Sequence, residues 1–310
     1  MDTLDEARID VVVATDTAYA LPTAVTLRSL AACTTGPIRV TVLHEAVPRD
    51  VRARIEQSIG SSQVAVVWID LGRRDLGIDV SASHLPRAAC FRLRIGSLLD
   101  DDVRRCLYLD VDLLIETSLR PLWDSDLGGR TAAAVRSVNF PNIATRGAFD
   151  RWRTLGLDPR QPYFNSGVVL LDVERWRQLG LEEKAVAHLS SHERSGPNLD
   201  QNAWNYVLHK DWLELDPKWN QQTPFLDDQH GVHLVYDDET IDRVRQEPAV
   251  VHFLDRPKPW QHACTHPAAP RWTEVAARTG FGPPDPAVPT LADELRRRVR
   301  RAGGVILKGK

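Results

Sequence analysis

The stretch of this sequence that decides the fold reads LYLDVDLLI, residues 107–115. It sets two carboxylates, Asp110 and Asp112, inside an otherwise apolar run, where an unpaired charge is costly to bury. Because strand residues two positions apart share one face, we expect the strand to end at Asp110, with both carboxylates near one point. Two interpretations stay open at this level: a site for a hard divalent cation, which prefers oxygen ligands, or an Asp turn at a strand end.

The chain before this run alternates between strand-like and helix-like patterns. The predicted elements, in chain order, are a strand over 9–14, a helix over 22–33, a strand over 38–43, a helix over 48–59, a strand over 64–69, a helix over 84–99 and a strand over 103–109. Such alternation predicts an α/β fold, a parallel sheet covered by helices, with ligands beyond the carboxyl ends of the strands. Asp16 follows the first strand, so we expect it on the same rim as Asp110.

The middle of the chain is less regular. Strands are predicted over 131–135 and 167–172, and the segment 138–160 is expected to form a loop region over the site. Asp200 stands where a helix pattern begins and is expected to be its N-cap, a role that needs no chemistry.

A second group of candidate ligands lies late in the chain. His252 follows an apolar strand pattern, and Lys258 lies in the proline-rich turn after it. An imidazole can complete a manganese shell and an ammonium can offset phosphate charge, although a lone His after a strand is more often structural. Together with the two aspartates, these residue types describe a metal-diphosphate site.

Composition narrows the class of protein. A net charge of -3 over 310 residues does not point to nucleic acid as a partner. The four cysteines show no paired metal spacing, which favours reduced thiols in a cytoplasm. The acidic N-terminus does not resemble a secretory signal, and no run approaches the roughly 18 apolar residues of a spanning helix. We therefore expect a cytoplasmic enzyme.

The C-terminal end differs in composition from the rest. Residues 280–289 are rich in Pro and Gly and predict a linker, so we divide the chain into a single catalytic domain, 1–280, and a linker with a basic tail, 281–310. Residues 291–310 carry seven basic and two acidic side chains, a net charge of +5. Two interpretations stay open: peripheral contact with an anionic membrane at its inner face, or a solvated tail.

Five blocks of the sequence, in consistent order, resemble the retaining glycosyltransferases of family 8, which include bacterial lipopolysaccharide galactosyl- and glucosyltransferases and the glycogenins. The blocks are residues 13–16, residues 91–94 with His84 before them, residues 108–112, residues 164–168, and His252 with residues 258–260. The resemblance implies a GT-A fold, in which a mostly parallel central sheet is flanked by helices and a Rossmann-like half binds the nucleotide sugar.

The resemblance also implies a metal and a donor. In the family, two aspartates and a late histidine bind manganese, or magnesium, across the diphosphate of a UDP-hexose. The matching residues here are Asp110, Asp112 and His252, so Asp110 is expected to serve both the metal and the donor. Lys258 matches the residue that contacts the diphosphate.

Further donor-binding residues are implied by the same blocks. Ala14 and Asp16 match contacts to uracil and the ribose edge, Arg92 matches a contact to the donor sugar, and Asn165 matches a residue of the sugar pocket. Three of them also have an interpretation without chemistry. Asp16 could be a turn residue, Arg92 a surface charge on a helix, and Asn165 a backbone cap.

Asp200 and Gln201 are the implied catalytic pair, and they also match residues of the sugar pocket. Either side chain could steady the positive charge of an oxocarbenium-like sugar on the face opposite the leaving UDP. The resemblance implies retention of the anomeric configuration. A covalent intermediate and a same-face attack both stay open.

The resemblance therefore predicts a metal-dependent transfer of glucose or galactose from a UDP-sugar to a glycan, a glycolipid or another hydroxyl acceptor. A catalytically silent sugar-nucleotide-binding protein is the alternative, because Thr17 and Asp255 depart from the family pattern. A nucleotidyltransferase fits less well, since no glycine-rich phosphate loop follows the first predicted strand.

Overall fold

The computed structural model describes residues 7–72, 74, 76–77, 87–149, 151–191, 199–226, 231–254 and 257–284. Three sequence predictions lie outside these residues: the helix start at His84, the departure from the family pattern at Asp255, and the basic tail over 291–310. The division into a catalytic domain and a tail therefore stays a prediction.

The described strands form two sheets. The strands are β1 (Ile9–Thr15), β2 (Ile38–His44), β3 (Val64–Asp70), β4 (Arg105–Leu109), β5 (Leu113–Ile115), β6 (Ala132–Arg136), β7 (Phe164–Asp172), β8 (Trp212–Glu214), β9 (Gln221–Gln222) and β10 (Val250–His252). A seven-stranded sheet has the order β3-β2-β1-β4-β7-β6-β8, and a three-stranded sheet has the order β5-β10-β9.

Helices cover both faces of the large sheet. The described α-helices are α1 (Ala20–Cys33), α2 (Arg49–Ile59), α3 (Ile95–Leu98), α4 (Arg120–Trp123), α5 (Val173–Gln178), α6 (Leu181–Ser191), α7 (Leu199–Leu208), α8 (Asp238–Gln246) and α9 (Ala269–Ala277). Short 3-10 helices lie at Thr17–Tyr19, Arg87–Arg94, Pro217–Asn220, Thr223–Leu226 and Val232–Leu234. Residues of α1 and α2 pack on one face of the sheet, and residues of α5, α6 and α7 pack on the other.

The core explains why the first strand reads as an unbroken apolar run. Val11 and Val13 of β1 belong to the apolar cluster that contains Leu27 of α1, whereas Val12 belongs to the cluster that contains Trp204 of α7. A strand that is buried on both faces needs apolar residues at successive positions rather than at alternate ones. This is the pattern of a sheet with helices on both sides.

Most strand pairs of the large sheet are parallel. β1 pairs in parallel with β2 and β4, β2 with β3, and β6 with β8, while β7 runs antiparallel to β4 and β6. The predicted α/β fold with a mostly parallel central sheet is therefore confirmed. The register pairs Val13 with Leu109, so Asp16 and Asp110 follow neighbouring strands at one edge of the sheet, as expected.

The small sheet brings the late part of the chain to this edge. β10 pairs antiparallel with β5 and parallel with β9. His252 therefore lies opposite Leu113 on one side and opposite Gln222 on the other. Because Leu113 directly follows Asp112, this pairing carries the histidine to the two aspartates.

Two predictions of local structure are wrong. The described part of the helix predicted over 84–99 is a 3-10 helix, Arg87–Arg94, followed by the single turn of α3. Its arginines make long-range bonds, Arg92 to Asp110 at 2.6 Å and Arg94 to Glu182 at 3.2 Å, so tertiary contacts override helical propensity. Asp200 is the second residue of α7 rather than its N-cap, and its carboxylate pairs with Arg92.

The segment 138–160 forms turns and bends rather than helices or strands in its described residues, as predicted. It has an apolar cluster of its own, in which Ile143, Phe149 and Leu157 pack with Tyr163. The segment is joined to the small sheet at its start, where the Val138 amide donates to Gln222 Oε1 at 3.1 Å. These contacts hold an irregular segment in one place beside the edge of the large sheet.

Candidate active site

Asp110 begins the site at the point where β4 ends. Its backbone N–H donates to the carbonyl of Gly167 in β7 at 2.8 Å, so the turn after β4 remains attached to the sheet. The side-chain Oδ1 accepts from Arg92 Nη2 at 2.6 Å and from Tyr108 Oη at 2.9 Å. The other oxygen, Oδ2, lies 3.9 Å from His252 Nε2.

The two carboxylate oxygens of Asp112 also contact different partners. Its Oδ2 accepts from Lys258 Nζ at 2.7 Å, and its Oδ1 lies 3.3 Å from His252 Nε2. Burial by itself would raise the pKa of Asp112, but the Lys258 ammonium and the contact with His252 outweigh it and hold that pKa well below its usual range. Each aspartate thus has one oxygen held by a cationic side chain and one oxygen directed at the histidine.

Asp110, Asp112 and His252 fit a divalent cation. One ligand atom from each residue lies within 4.8 Å of the others, and no other group of three such side chains occurs among the described residues. Carboxylate oxygens and an imidazole nitrogen are donors that manganese accepts. Gly167 lines the same space: a Cβ built there would overlap the His252 ring and lie 2.9 Å from Asp110 Oδ2. The absence of a side chain at this position leaves room between the ligands.

Lys258 reaches the site from the turn after β10. Its ammonium donates to Asp112 and to the carbonyl groups of Phe253 and Leu254, the last at 3.1 Å. The residue is only 7% exposed, so its charge acts at short range in a poorly solvated place. The predicted metal ligands and the predicted diphosphate contact therefore lie in one cluster.

Arg92 is buried, and its alternative interpretation as a surface charge is wrong. It is 5% exposed, and it donates from Nη1 to Ser166 Oγ at 2.9 Å as well as to Asp110. Its Nε lies 3.0 Å from Asp200 Oδ2. Burial would lower the pKa of the guanidinium, but the carboxylates, led by Asp110, raise it above its usual value. One fixed charge therefore joins Asp110 to Asp200.

Gln201 and Asn165 are both attached to the backbone of β7. Gln201 Oε1 accepts from the Ser166 N–H at 3.0 Å, and its Nε2 donates to Tyr163 Oη at 3.2 Å. Asn165 Oδ1 accepts from the Gly167 N–H at 3.0 Å. Both side chains are nearly buried. Asn220 joins Asn165 to His252, and Ser166 joins Gln201 to Arg92.

Ala14 and Asp16 lie at the carboxyl end of β1, on the neighbouring part of the rim. Ala14 is 8% exposed. Asp16 Oδ1 accepts from the Tyr19 N–H at 3.1 Å and so caps the 3-10 helix Thr17–Tyr19. This local bond agrees with the turn interpretation of Asp16. A role in binding the nucleotide stays a prediction.

Sequence reasoning missed three side chains of this site, Tyr108, Ser166 and Asn220. The first two bond to Asp110 and Arg92. Asn220 contacts His252. The sequence offers one signal, the three successive amides Asn220-Gln221-Gln222, but only the structure shows that they are buried, at 0%, 2% and 0% exposure. Consecutive buried amides need partners, and such a run indicates a polar network.

Known proteins with this fold identify the class. The structure resembles that of the galactosyltransferase LgtC, solved with donor and acceptor sugar analogues, at a TM-score of 0.70 and 24% identity, over 94% of this chain and 100% of that one. This likeness defines the fold as that of the GT-A glycosyltransferases. Residues 10–264 match the sequence model of glycosyl transferase family 8, so the chain belongs to this family and is a glycosyltransferase.

Similar curated proteins include a named sugar transferase. The general stress protein A of Bacillus subtilis (strain 168) is 28% identical over 233 residues, which cover 74% of this chain and 79% of that protein. The lipopolysaccharide 1,3-galactosyltransferase of Salmonella typhimurium (strain LT2) is 24% identical over 243 residues, which cover 76% of this chain and 67% of that protein. Family membership favours glycosyl transfer over the nucleotidyltransferase interpretation.

Proposed function

We propose that this glycosyltransferase moves glucose or galactose from a UDP-sugar to a hydroxyl group of a glycan, a glycolipid or another acceptor. In this proposal the reaction retains the anomeric configuration and depends on Mn²⁺, or on Mg²⁺ in its place. The observation that carries the proposal is the convergence of Asp110, Asp112 and His252 at one edge of the sheet.

Asp110, Asp112 and His252 would hold the metal ion. When bound there, the ion supplies positive charge that stabilises the departing diphosphate. The side chains around it serve to keep the ligands in place. Arg92 and Tyr108 hold one oxygen of Asp110, and Lys258 holds one oxygen of Asp112 (2.6, 2.9 and 2.7 Å).

Lys258 would also act on the donor directly. An ammonium is a compact charge, and here it lies in the same cluster as the proposed metal ligands. As the bond between the sugar and UDP lengthens, negative charge grows on the β-phosphate. A positive charge that is already in place lowers the energy of that state without reorganisation.

Asp200 and Gln201 would serve the sugar side of the reaction. Burial raises the pKa of Asp200, and the Arg92 guanidinium limits the rise. The pair supplies carboxylate and amide oxygens for a sugar that gains positive charge. Gln201 Oε1 already accepts from the Ser166 N–H, and an amide is a poor nucleophile, so we assign Gln201 a stabilising role. Asn165 would line the same pocket.

Ala14 and Asp16 would hold the uracil and ribose edge of the donor. Ala14 is the penultimate residue of the neighbouring strand β1, and Asp16 directly follows that strand, on the same rim as Asp110.

We also propose that the basic tail over 291–310 gives peripheral contact with an anionic membrane surface on the cytoplasmic side. Within the described part of the chain, no helix has the length and apolar character to cross a bilayer. Vesicle flotation of the full chain and of a version ending near Pro289 tests the tail, and equal binding would overturn this part.

The proposed function is tested by UDP release from a panel of nucleotide sugars, with and without Mn²⁺. We expect one UDP-hexose to release UDP only with the metal, and D110A and D112A to lose at least about 100-fold of that rate, as proposed metal ligands should. D242A is the matched control, because Asp242 is an exposed carboxylate of α8 that pairs with Arg245 away from the site. The anomeric configuration of the product, read by NMR, tests retention.

Thermal stability measured beside UDP release separates the proposed function from binding without turnover. A sugar-nucleotide-binding protein without turnover would be stabilised thermally by a UDP-hexose and would release no UDP. A protein that is neither stabilised nor active with any nucleotide sugar would overturn the donor assignment.

A further inference from the structure

A chain of buried amides lies behind the candidate metal group and ends at His252. Asn220, at the end of the 3-10 helix Pro217–Asn220, is 0% exposed. Its Nδ2 lies 2.8 Å from Asn165 Oδ1, and its Oδ1 lies 2.9 Å from His252 Nδ1. Asn165 Oδ1 in turn lies 3.0 Å from the backbone nitrogen of Gly167.

The donor and acceptor atoms of these residues fix the direction of each hydrogen bond between Gly167 and His252. The Gly167 N–H can only donate, so the Asn165 atom that it meets must be the carbonyl oxygen. That oxygen can only accept, so Asn220 must present its NH₂ group to Asn165 and its oxygen to His252. An amide oxygen can only accept, and therefore His252 Nδ1 must carry a hydrogen.

We infer that Asn220 is a positioning residue that holds His252 as the Nδ1–H tautomer, with the Nε2 lone pair directed at Asp110 and Asp112. The inference rests on the proposed metal-dependent function. Nε2 lies 3.3 Å from Asp112 Oδ1 and 3.9 Å from Asp110 Oδ2. A metal-binding histidine uses one nitrogen for the metal and gives the N–H of the other to an acceptor, and Asn220 is that acceptor.

The same geometry shows what loss of Asn220 would do. Without its oxygen, the acceptors that the structure shows at the ring are the carboxylates on the Nε2 side. The proton is then expected to move to Nε2 and cover the lone pair that the metal needs. Asn220 has no exposed surface, so bulk water does not take its place in the folded chain.

Three variants separate this role from general damage to the core. N220L removes the acceptor at similar volume. N220D keeps an oxygen for His252 but loses the donor to Asn165. Q221M is the matched control, because Gln221 is the next residue, is 2% exposed, and donates to the carbonyl of Val244 rather than to the site.

Mn²⁺ affinity is measured without nucleotide, from the electron paramagnetic resonance signal of the free ion. Mutation of a residue that hydrogen-bonds a metal-binding histidine typically weakens metal affinity, so we expect N220L to bind Mn²⁺ roughly 10–100-fold more weakly than the parent. The Mn²⁺ affinity of Q221M should remain within about twofold of the parent value. N220D should lie between them. Equal losses in N220L and Q221M, or parent-like binding by N220L, would overturn the inference.

The tautomer is read separately, by nitrogen-15 NMR of histidine-labelled, metal-free protein at a pH where the ring is neutral, with His252 assigned from a His252→Gln variant. The parent and N220D should show the Nδ1–H pattern, and N220L should show the Nε2–H pattern. An Nε2–H pattern in the parent would overturn the inference by itself. If the parent binds no Mn²⁺, the proposed metal dependence fails, and this spectrum still decides whether Asn220 sets the tautomer.

Discussion

The Nη2 atom of Arg92 lies 2.6 Å from Oδ1 of Asp110, and this partly buried ion pair joins the 3-10 helix Arg87–Arg94 to the end of β4. The same guanidinium reaches Asp200 at 3.0 Å. One cation therefore serves a proposed metal ligand and a proposed catalytic carboxylate. This charge therefore joins the proposed metal side of the site to its proposed sugar side.

Removing the Arg92 guanidinium should destabilise the fold. R92M leaves the buried carboxylate of Asp200 and the partly buried carboxylate of Asp110 without their cation, and we expect the free energy of unfolding to fall by about 3–5 kcal/mol. R243M breaks the exposed pair with Asp216 at 3.1 Å and should cost less than about 1 kcal/mol. Urea unfolding of both variants measures the difference, and similar losses would contradict it.

A methyl group at Gly167 should disturb the proposed metal ligands. G167A places a carbon against the His252 ring and 2.9 Å from Asp110 Oδ2, so we expect both a lower melting temperature and weaker Mn²⁺ binding. G96A creates a clash of the same kind, 2.8 Å from Trp176 Cδ1, away from the site. Both variants should melt earlier, but only G167A should lose Mn²⁺ affinity by metal titration. Unchanged binding in G167A would count against the site.

The side chain of Thr26 in α1 contacts the backbone on both sides of Asp112. Its hydroxyl lies 3.1 Å from the carbonyl of Val111 and 3.0 Å from that of Leu113. T26V keeps the shape but loses the hydroxyl, so we expect a loss of about 1–3 kcal/mol in unfolding free energy and weaker Mn²⁺ binding.

Ser29 offers the matched comparison for Thr26. Its hydroxyl accepts from the Ile115 N–H at 3.1 Å, one helical turn further along α1. S29A should lose comparable stability in urea unfolding while its Mn²⁺ affinity stays at the parent value. A loss of affinity in S29A equal to that in T26V would show that the position of Asp112 is not controlled by Thr26.

His266 should make stability depend on pH. Burial, with Arg271 and Lys258 adding to it, lowers its pKa from 6.5 to about 4. The unfolded chain therefore takes up the proton first, so the stability contributed by the neutral ring is present above the unfolded pKa and is lost as the pH falls toward 4. Protonation also ends the bond that Nδ1 accepts from Ala268, the N-cap of α9, at 3.1 Å.

The measurement for His266 is the melting temperature of the parent and of H266Q between pH 4 and pH 7. The parent should lose more stability than H266Q across this range, so the two curves should converge or cross toward acid. Parallel curves would contradict the prediction.

Much of the fold was readable from the sequence because its signals are local. The apolar runs of β1 and β2 and the helical spacing of α2 arise from residues close together in the chain, and the structure has each element within a few residues of its predicted bounds. The 3-10 helix Arg87–Arg94 was not readable, since long-range bonds such as that of Arg92 to Asp110 compete with helical propensity there.

The candidate site could likewise be predicted only in part from the sequence. The sequence predicts Asp110 and Asp112 as ligands, because two carboxylates in an apolar run need a partner. The family resemblance adds His252 to the predicted ligands. The burial of Arg92, with its pairing to Asp200, and the contact of Asn220 with His252 have no local signal that names the partner. Each depends on where another part of the chain lies.

By itself, the sequence determined the alternation of strands and helices, the two carboxylates at a strand end, and the family that these motifs indicate. Only the tertiary structure decided which oxygen of each aspartate is held by a cation and which faces His252, and which ring nitrogen of His252 faces Asn220. The reason is physical. Apolar periodicity is a property of neighbouring residues, whereas a hydrogen bond or an ion pair exists only at separations of about 3 Å, which folding alone creates.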